Sequence, residues 1–146
     1  MKRIRLLILL GMVAVALPLG LLSPVAKAWD GGGATNQVTI QQYADYDAAG
    51  FVLDVGLYVR CKKATGGLNG FVQVKVDQYP PETPALVTFG SGANSVVCDG
   101  NTHSVGVTIT GEGYDAGRAK ATATFTPAPG GGAAVTVTKW ITIIVV

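Results

Sequence analysis

The sequence predicts an all-β domain, an antiparallel β-sandwich of seven to eight strands with one disulfide, preceded by a signal peptide. Three observations carry this. Short runs rich in Val, Ile and Thr alternate apolar and polar residues with period two. A half-buried strand needs that period, because successive side chains point to opposite faces. Clusters of Gly, Pro, Asp and Asn punctuate the runs at regular spacing, as turns between short strands do. No window shows the apolar spacing of an amphipathic helix.

Residues 1–28 have the anatomy of a secretory signal peptide. Lys2, Arg3 and Arg5 make a basic start, residues 6–22 form an almost unbroken apolar run, and Ala26 and Ala28 stand where a signal peptidase reads small side chains. The rival reading is a membrane anchor, but the run is short for a span and holds Gly11, Pro18 and Gly20. Cleavage after Ala28 leaves a domain over 29–146, expected to be secreted or associated with the cell wall. It carries seven basic and nine acidic residues, a net charge of −2, because Lys2, Arg3, Arg5 and Lys27 leave with the signal. That balance excludes the clustered basic footprint of a nucleic-acid binder, and no membrane partner is expected after cleavage. The 118 residues that remain make one domain, long enough to bury roughly two-thirds of the unfolded surface.

Residues 29–35 are a polar, Gly-rich lead-in. Residues 36–42 alternate, with Val38 and Ile40 on one face, and predict the first strand. Residues 43–50 read as a turn or irregular segment. Residues 51–61 are the spine of the domain, with Leu53, Val55, Leu57, Val59 and Cys61 on the buried parity. Residues 62–70 form a Gly-rich connection. Residues 71–78 predict a strand with Val72, Val74 and Val76 inward. Pro80, Pro81 and Pro84 then end the ladder, since proline has no N–H to donate. Residues 85–89 and 94–98 read as two short extended pieces divided by Gly90-Ser91-Gly92. After the Asp99-Gly100 turn, residues 103–109 alternate again. Residues 118–126 place Ala119, Ala121, Ala123 and Phe125 on one parity. Residues 133–146 form the last strand, with Val135, Val137, Ile141, Ile143 and Val145 on one side and Trp140 on the outward parity.

Cys61 and Cys98 are the only cysteines, and in an exported domain they are expected to pair. Such a bridge closes a loop of about 38 residues, worth roughly 3.5–4 kcal/mol in the chain-entropy model. A zinc site lacks ligands, because no CxxC spacing exists and His103 is the sole histidine. His103 follows a turn and shares a buried parity, so it is expected to cap the strand start through backbone bonds. A hydrolase built on it would need an acid and an activated hydroxyl in contact, and Ser91, Ser95 and Ser104 lie in no nucleophile turn. Asp45 and Asp47 lack the later bidentate Glu of a calcium loop. Glu82, Glu112 and Asp115 are loop acids with no sequence signal that brings two of them across a cleft. No metal or other cofactor is implied. Tyr43, Tyr46, Tyr79 and Tyr114 stand at strand ends or turns. A tyrosine offers a flat apolar face with a polar tip, which suits a binding surface; the same residues could equally cap the open ends of the sandwich.

Residues 115–121, Asp-Ala-Gly-Arg-Ala-Lys-Ala, resemble the Asp-x-Gly-x-Tyr-x-Cys lead into the penultimate strand of immunoglobulin domains. Ala119 stands in place of the tyrosine and Ala121 in place of the cysteine, so the resemblance implies that architecture without its usual corner and bridge. Most of the domain resembles a set of small secreted actinobacterial proteins. The shared features are the alternating strand ending at Cys61, Val-Cys-Asp-Gly-x-x-His at 97–103 and Gly-x-Ala-x-x-x-Ala at 117–123. This resemblance implies export and an immunoglobulin-like fold, and carries no activity. The functional expectation is a non-catalytic domain that binds a surface protein, a glycan or the cell wall through loops at one end, those around 43–47 and 79–84. The alternatives are a small-ligand carrier resembling the enediyne-binding apoproteins, and a hydrolase using His103.

Overall fold

The computed structural model describes residues 35–64, 66–79, 88–111 and 113–146. The signal peptide expected over residues 1–28, the lead-in through residue 34 and the proline-rich segment 80–87 lie outside the described residues. Seven strands are present among those described: β1 (Gln37–Asp47), β2 (Val52–Arg60), β3 (Asn69–Gln78), β4 (Thr88–Val97), β5 (Thr102–Thr110), β6 (Gly117–Thr126) and β7 (Val135–Val145). They form one all-β ladder in the order β4-β3-β6-β7-β1-β2-β5. The ladder folds over a single core, giving a sandwich that is almost a barrel. Every pairing is antiparallel except one: β7 runs parallel to β1, with Tyr43 opposite Thr142. An antiparallel sandwich of separate sheets did not include that link, which makes the two layers one continuous sheet.

The spine behaves as its period requires. Leu53, Val55, Leu57, Val59 and Cys61 are all buried, as are Val72, Val74 and Val76 on β3 and Ala119, Ala121, Ala123 and Phe125 on β6. Each large apolar side chain fully removed from water contributes about 1.5–3 kcal/mol, so these three strands carry much of the core.

β1 is longer than its sequence pattern implies. Ile40 pairs with Leu57 and Ala44 with Val55, so Gln41, Gln42 and Tyr43 oppose Gly56 alone. This bulge re-aims the strand. Residues before it pair only with β2, and residues after it also pair with β7. The bulge has two consequences. The Gln41 side chain lies over Gly56, where a Cβ would fall 2.6 Å from its Cδ. Lys139, at an inward position of β7, donates to the Ile40 carbonyl at 3.0 Å.

β4 is one strand rather than two pieces. Gly90 and Gly92 do not break it; they thin it. A Cβ on Gly92 would fall on the Thr108 carbonyl of β5, and one on Gly90 would meet Ile109 and Tyr114. The two end strands of the ladder meet along this glycine seam, and Asn94 Nδ2 donates across it to the Gly106 carbonyl at 2.8 Å. At the other end of these strands Cys61 and Cys98 are bridged, with Cα atoms 4.7 Å apart. The bridge clips the end of β2 to the end of β4, and so one layer to the other. Backbone bonds from Ala64 to Cys98 and from Gly100 to Cys61 flank it. A buried structural disulfide is consistent with an extracellular protein.

Candidate functional site

The antiparallel pairings put the β1–β2 turn, the β5–β6 connection, the start of β4 and the ends of β3 and β7 at one end of the sandwich. Tyr43 lies within the bulge of β1, opposite Gly56 and short of this end, whereas Tyr79 follows β3 to it. Both are exposed, at 60% and 47%. Tyr46 and Tyr114, expected on the same surface, are instead buried at 3% each. Tyr46 keeps the parity of Val38, Ile40 and Ala44, so β1 turns it inward. Tyr114 folds under the β5–β6 connection to meet it.

These two inward tyrosines form the floor of the end. Their rings pack edge to face with centroids 5.5 Å apart, a favoured arrangement for paired ring quadrupoles. Tyr46 donates from its hydroxyl to the Gly111 carbonyl at 3.3 Å, and Tyr114 to the Val76 carbonyl at 3.4 Å. Gln78 completes the frame. Its amide donates to the Asp115 carbonyl at 2.8 Å and accepts from the Asp115 N–H at 2.9 Å, which accounts for a buried polar side chain.

Burial pushes the Tyr114 phenol up to about 12, with Asp77 and Tyr46 adding in the same direction. The unfolded phenol ionises near 10. Between these values the unfolded chain loses a proton that the folded chain keeps, so stability falls as pH rises through this window. Tyr114→Phe is expected to remove that contribution, on the order of 2 kcal/mol, while costing about 1 kcal/mol or less at neutral pH for the long hydrogen bond. Urea midpoints at pH 7 and at high pH check it: the gap between them should narrow in the variant.

Above the floor stands a residue that sequence reasoning passed over. Phe51 is 46% exposed and has φ 54°, in the left-handed region that bulky side chains avoid. The turn enforces it. Asp47 Oδ1 accepts the N–H groups of Ala49 and Gly50 at 2.9 and 3.2 Å, and the Phe51 carbonyl accepts from Gly111 at 3.0 Å. Phe51 shares the odd parity of the spine, so alternation alone would send it inward. The signal was the Asp-x-x-Gly run before it, which marks a tight Asx turn.

The opposite end holds His103, and its partner differs from the expected backbone. Nε2 lies 2.8 Å from Asp99 Oδ1. Asp99 also accepts the Asn101 backbone N–H at 2.8 Å and the Asn101 amide at 3.0 Å. The His103 bond, then the Asn101 bonds, hold the Asp99 carboxyl well below the usual carboxylate range. This is an acid and an imidazole in contact, without a hydroxyl bonded to the imidazole among the described residues. Asp47 is occupied by its turn. Asp115 is held by its backbone. Glu82 and Glu112 lie outside the described residues. No cluster of three metal-binding side chains occurs among the described residues. Trp140 is outward as expected, with the Arg118 guanidinium 4.2 Å above its ring. The chain matches no family model and no curated protein.

Proposed function

We propose that this is a secreted, non-catalytic, immunoglobulin-like domain that binds an extracellular surface through the end that carries Phe51 and Tyr79. Phe51 is the observation that supports the reading most strongly. A glycine would satisfy this turn without strain, whereas a non-glycine residue in the left-handed region costs of order 1–3 kcal/mol. The chain instead holds an exposed aromatic there, on a backbone braced by the Asp47 turn and the Gly111 bond. Rigid exposed aromatics lose little entropy when they are covered, which makes them effective anchors.

The strand order supports the architectural part. The β4-β3-β6-β7 and β1-β2-β5 ladders follow the C′-C-F-G and A-B-E arrangement of immunoglobulin sandwiches, in line with the resemblance at 115–121. The bridge differs from that of antibody domains, since it joins the ends of β2 and β4. An export signal over 1–28 and the buried disulfide support secretion.

The test uses two readouts of opposite sign. Phe51→Gly is expected to raise stability by about 1 kcal/mol, because the strain is relieved. The same variant, and Tyr79→Ser beside it, should lose most of the binding of the labelled domain to cell envelopes of the source organism. Unchanged binding in both variants, or no binding by the native domain, overturns the reading.

A further inference from the structure

The outer face of β4-β3-β6-β7 is laid out in rows by the ladder register. One row reads Phe89, Asp77, Lys120, Trp140, the next Ser91, Lys75, Thr122, Thr138, and the third Ala93, Gln73, Thr124, Thr136. Strands lie about 4.8 Å apart and successive outward residues about 7 Å, so the grid spans roughly 14 Å in each direction. Its uncharged polar side chains are mainly hydroxyls, with the Gln73 amide. Thr122 pairs with Thr138, and Thr124 with Thr136, at 3.2 Å between hydroxyl oxygens. Each pair keeps lone pairs and one proton for a ligand.

A depression of 420 Å³ opens in this grid, lined by Gln73, Lys75, Ser91, Thr122 and Thr124 with Phe89 as a wall. Phe89 is 70% exposed, the most exposed aromatic ring among the described residues. An aromatic wall beside hydroxyl and amide donors matches the two sides of a pyranose, its apolar C–H face and its ring of hydroxyls. Charge narrows the class. Among the described residues the face carries Lys75, Lys120 and Arg118 against Asp77, while residues 29–146 as a whole are net negative. Lys75 Nζ lies 2.9 Å from Asp77, which fixes it at the rim of the depression. A protein partner fits poorly, because interface cores are poor in Ser and Lys.

We infer that this face is a binding site for an acidic polysaccharide, with a sugar ring against Phe89 and its carboxylates toward Lys75 and Lys120. The site uses none of Phe51, Tyr43 and Tyr79, although its Phe89–Asp77 row borders the end of the sandwich that carries Phe51.

Affinity electrophoresis of the exported domain through gels containing polygalacturonate, an acidic glycan, or dextran, a neutral one, tests it. Retardation is expected with polygalacturonate and not with dextran, and raising salt to about 0.5 M should weaken it, because exposed charges are then screened within a few ångströms. Phe89→Ala and Lys75→Gln should each reduce the affinity about tenfold, or 1.4 kcal/mol. Both side chains are on the surface, so circular dichroism should confirm that the variants fold. Phe51→Gly should be retarded like the native domain. No retardation, equal retardation by dextran, or retardation that survives Phe89→Ala overturns the inference.

Discussion

Replacing Cys61 and Cys98 together by alanine is expected to lower stability by about 3.5–4 kcal/mol, the loop entropy that the bridge removes from the unfolded chain. A domain of this size has a net stability of about 5–15 kcal/mol, so the variant would keep its fold at room temperature with a small margin. The geometry around the bridge says why the loss should be mainly one of loop closure. Ala64 N–H bonds to Cys98 and Gly100 N–H to Cys61, and Arg60 Nε donates to the Gly100 carbonyl at 3.0 Å. These bonds hold the two chain ends in place without the sulfur atoms. The near-UV signal of the reduced, alkylated or double-alanine protein should therefore stay native while its urea midpoint falls sharply. An unchanged midpoint, or two free thiols in the secreted product by mass spectrometry, would remove the clip from the account.

That bridge was legible in the sequence because its logic is local. An alternating strand that ends on a cysteine of the buried parity, in a chain that reads as exported and has one other cysteine, leaves little choice. The same holds for β2, β3 and β6, whose periods survive into the structure without interruption. What was not legible depends on contacts distant in sequence. The bulge at Gln41–Tyr43 hid the even parity that joins Ile40 to Ala44 and Tyr46, so a core tyrosine read as a loop tyrosine. Tyr114 lies in a connection with no period, and only its meeting with Tyr46 turns it inward. Lys139 interrupts the inward row of β7 because the bulge leaves a carbonyl for it. Phe51 shows the limit of periodicity most directly. Its parity is that of the core, and one backbone angle reverses it.

Gly92→Ala should destabilise the domain by about 3 kcal/mol or more, at the upper end of what overpacking costs. The sequence reads Gly90-Ser91-Gly92 as punctuation, yet these residues lie inside β4. The added Cβ would land on the backbone carbonyl of Thr108. A side chain could rotate away, but a carbonyl in the β2–β5 ladder cannot, because Thr108 is paired with Asp54. The strands must therefore part, and the bond from Asn94 to Gly106 goes with them. Gly106→Ala on the facing strand is the control, since its Cβ would meet nothing within 4 Å and should change stability by about 0.5 kcal/mol or less. The comparison isolates the seam, because both variants add the same methyl group to a strand. Equal urea midpoints would mean that β4 and β5 do not close the sandwich. A large gap would show that a glycine chosen for its missing side chain, rather than for turning the chain, lets the two ends of one sheet meet.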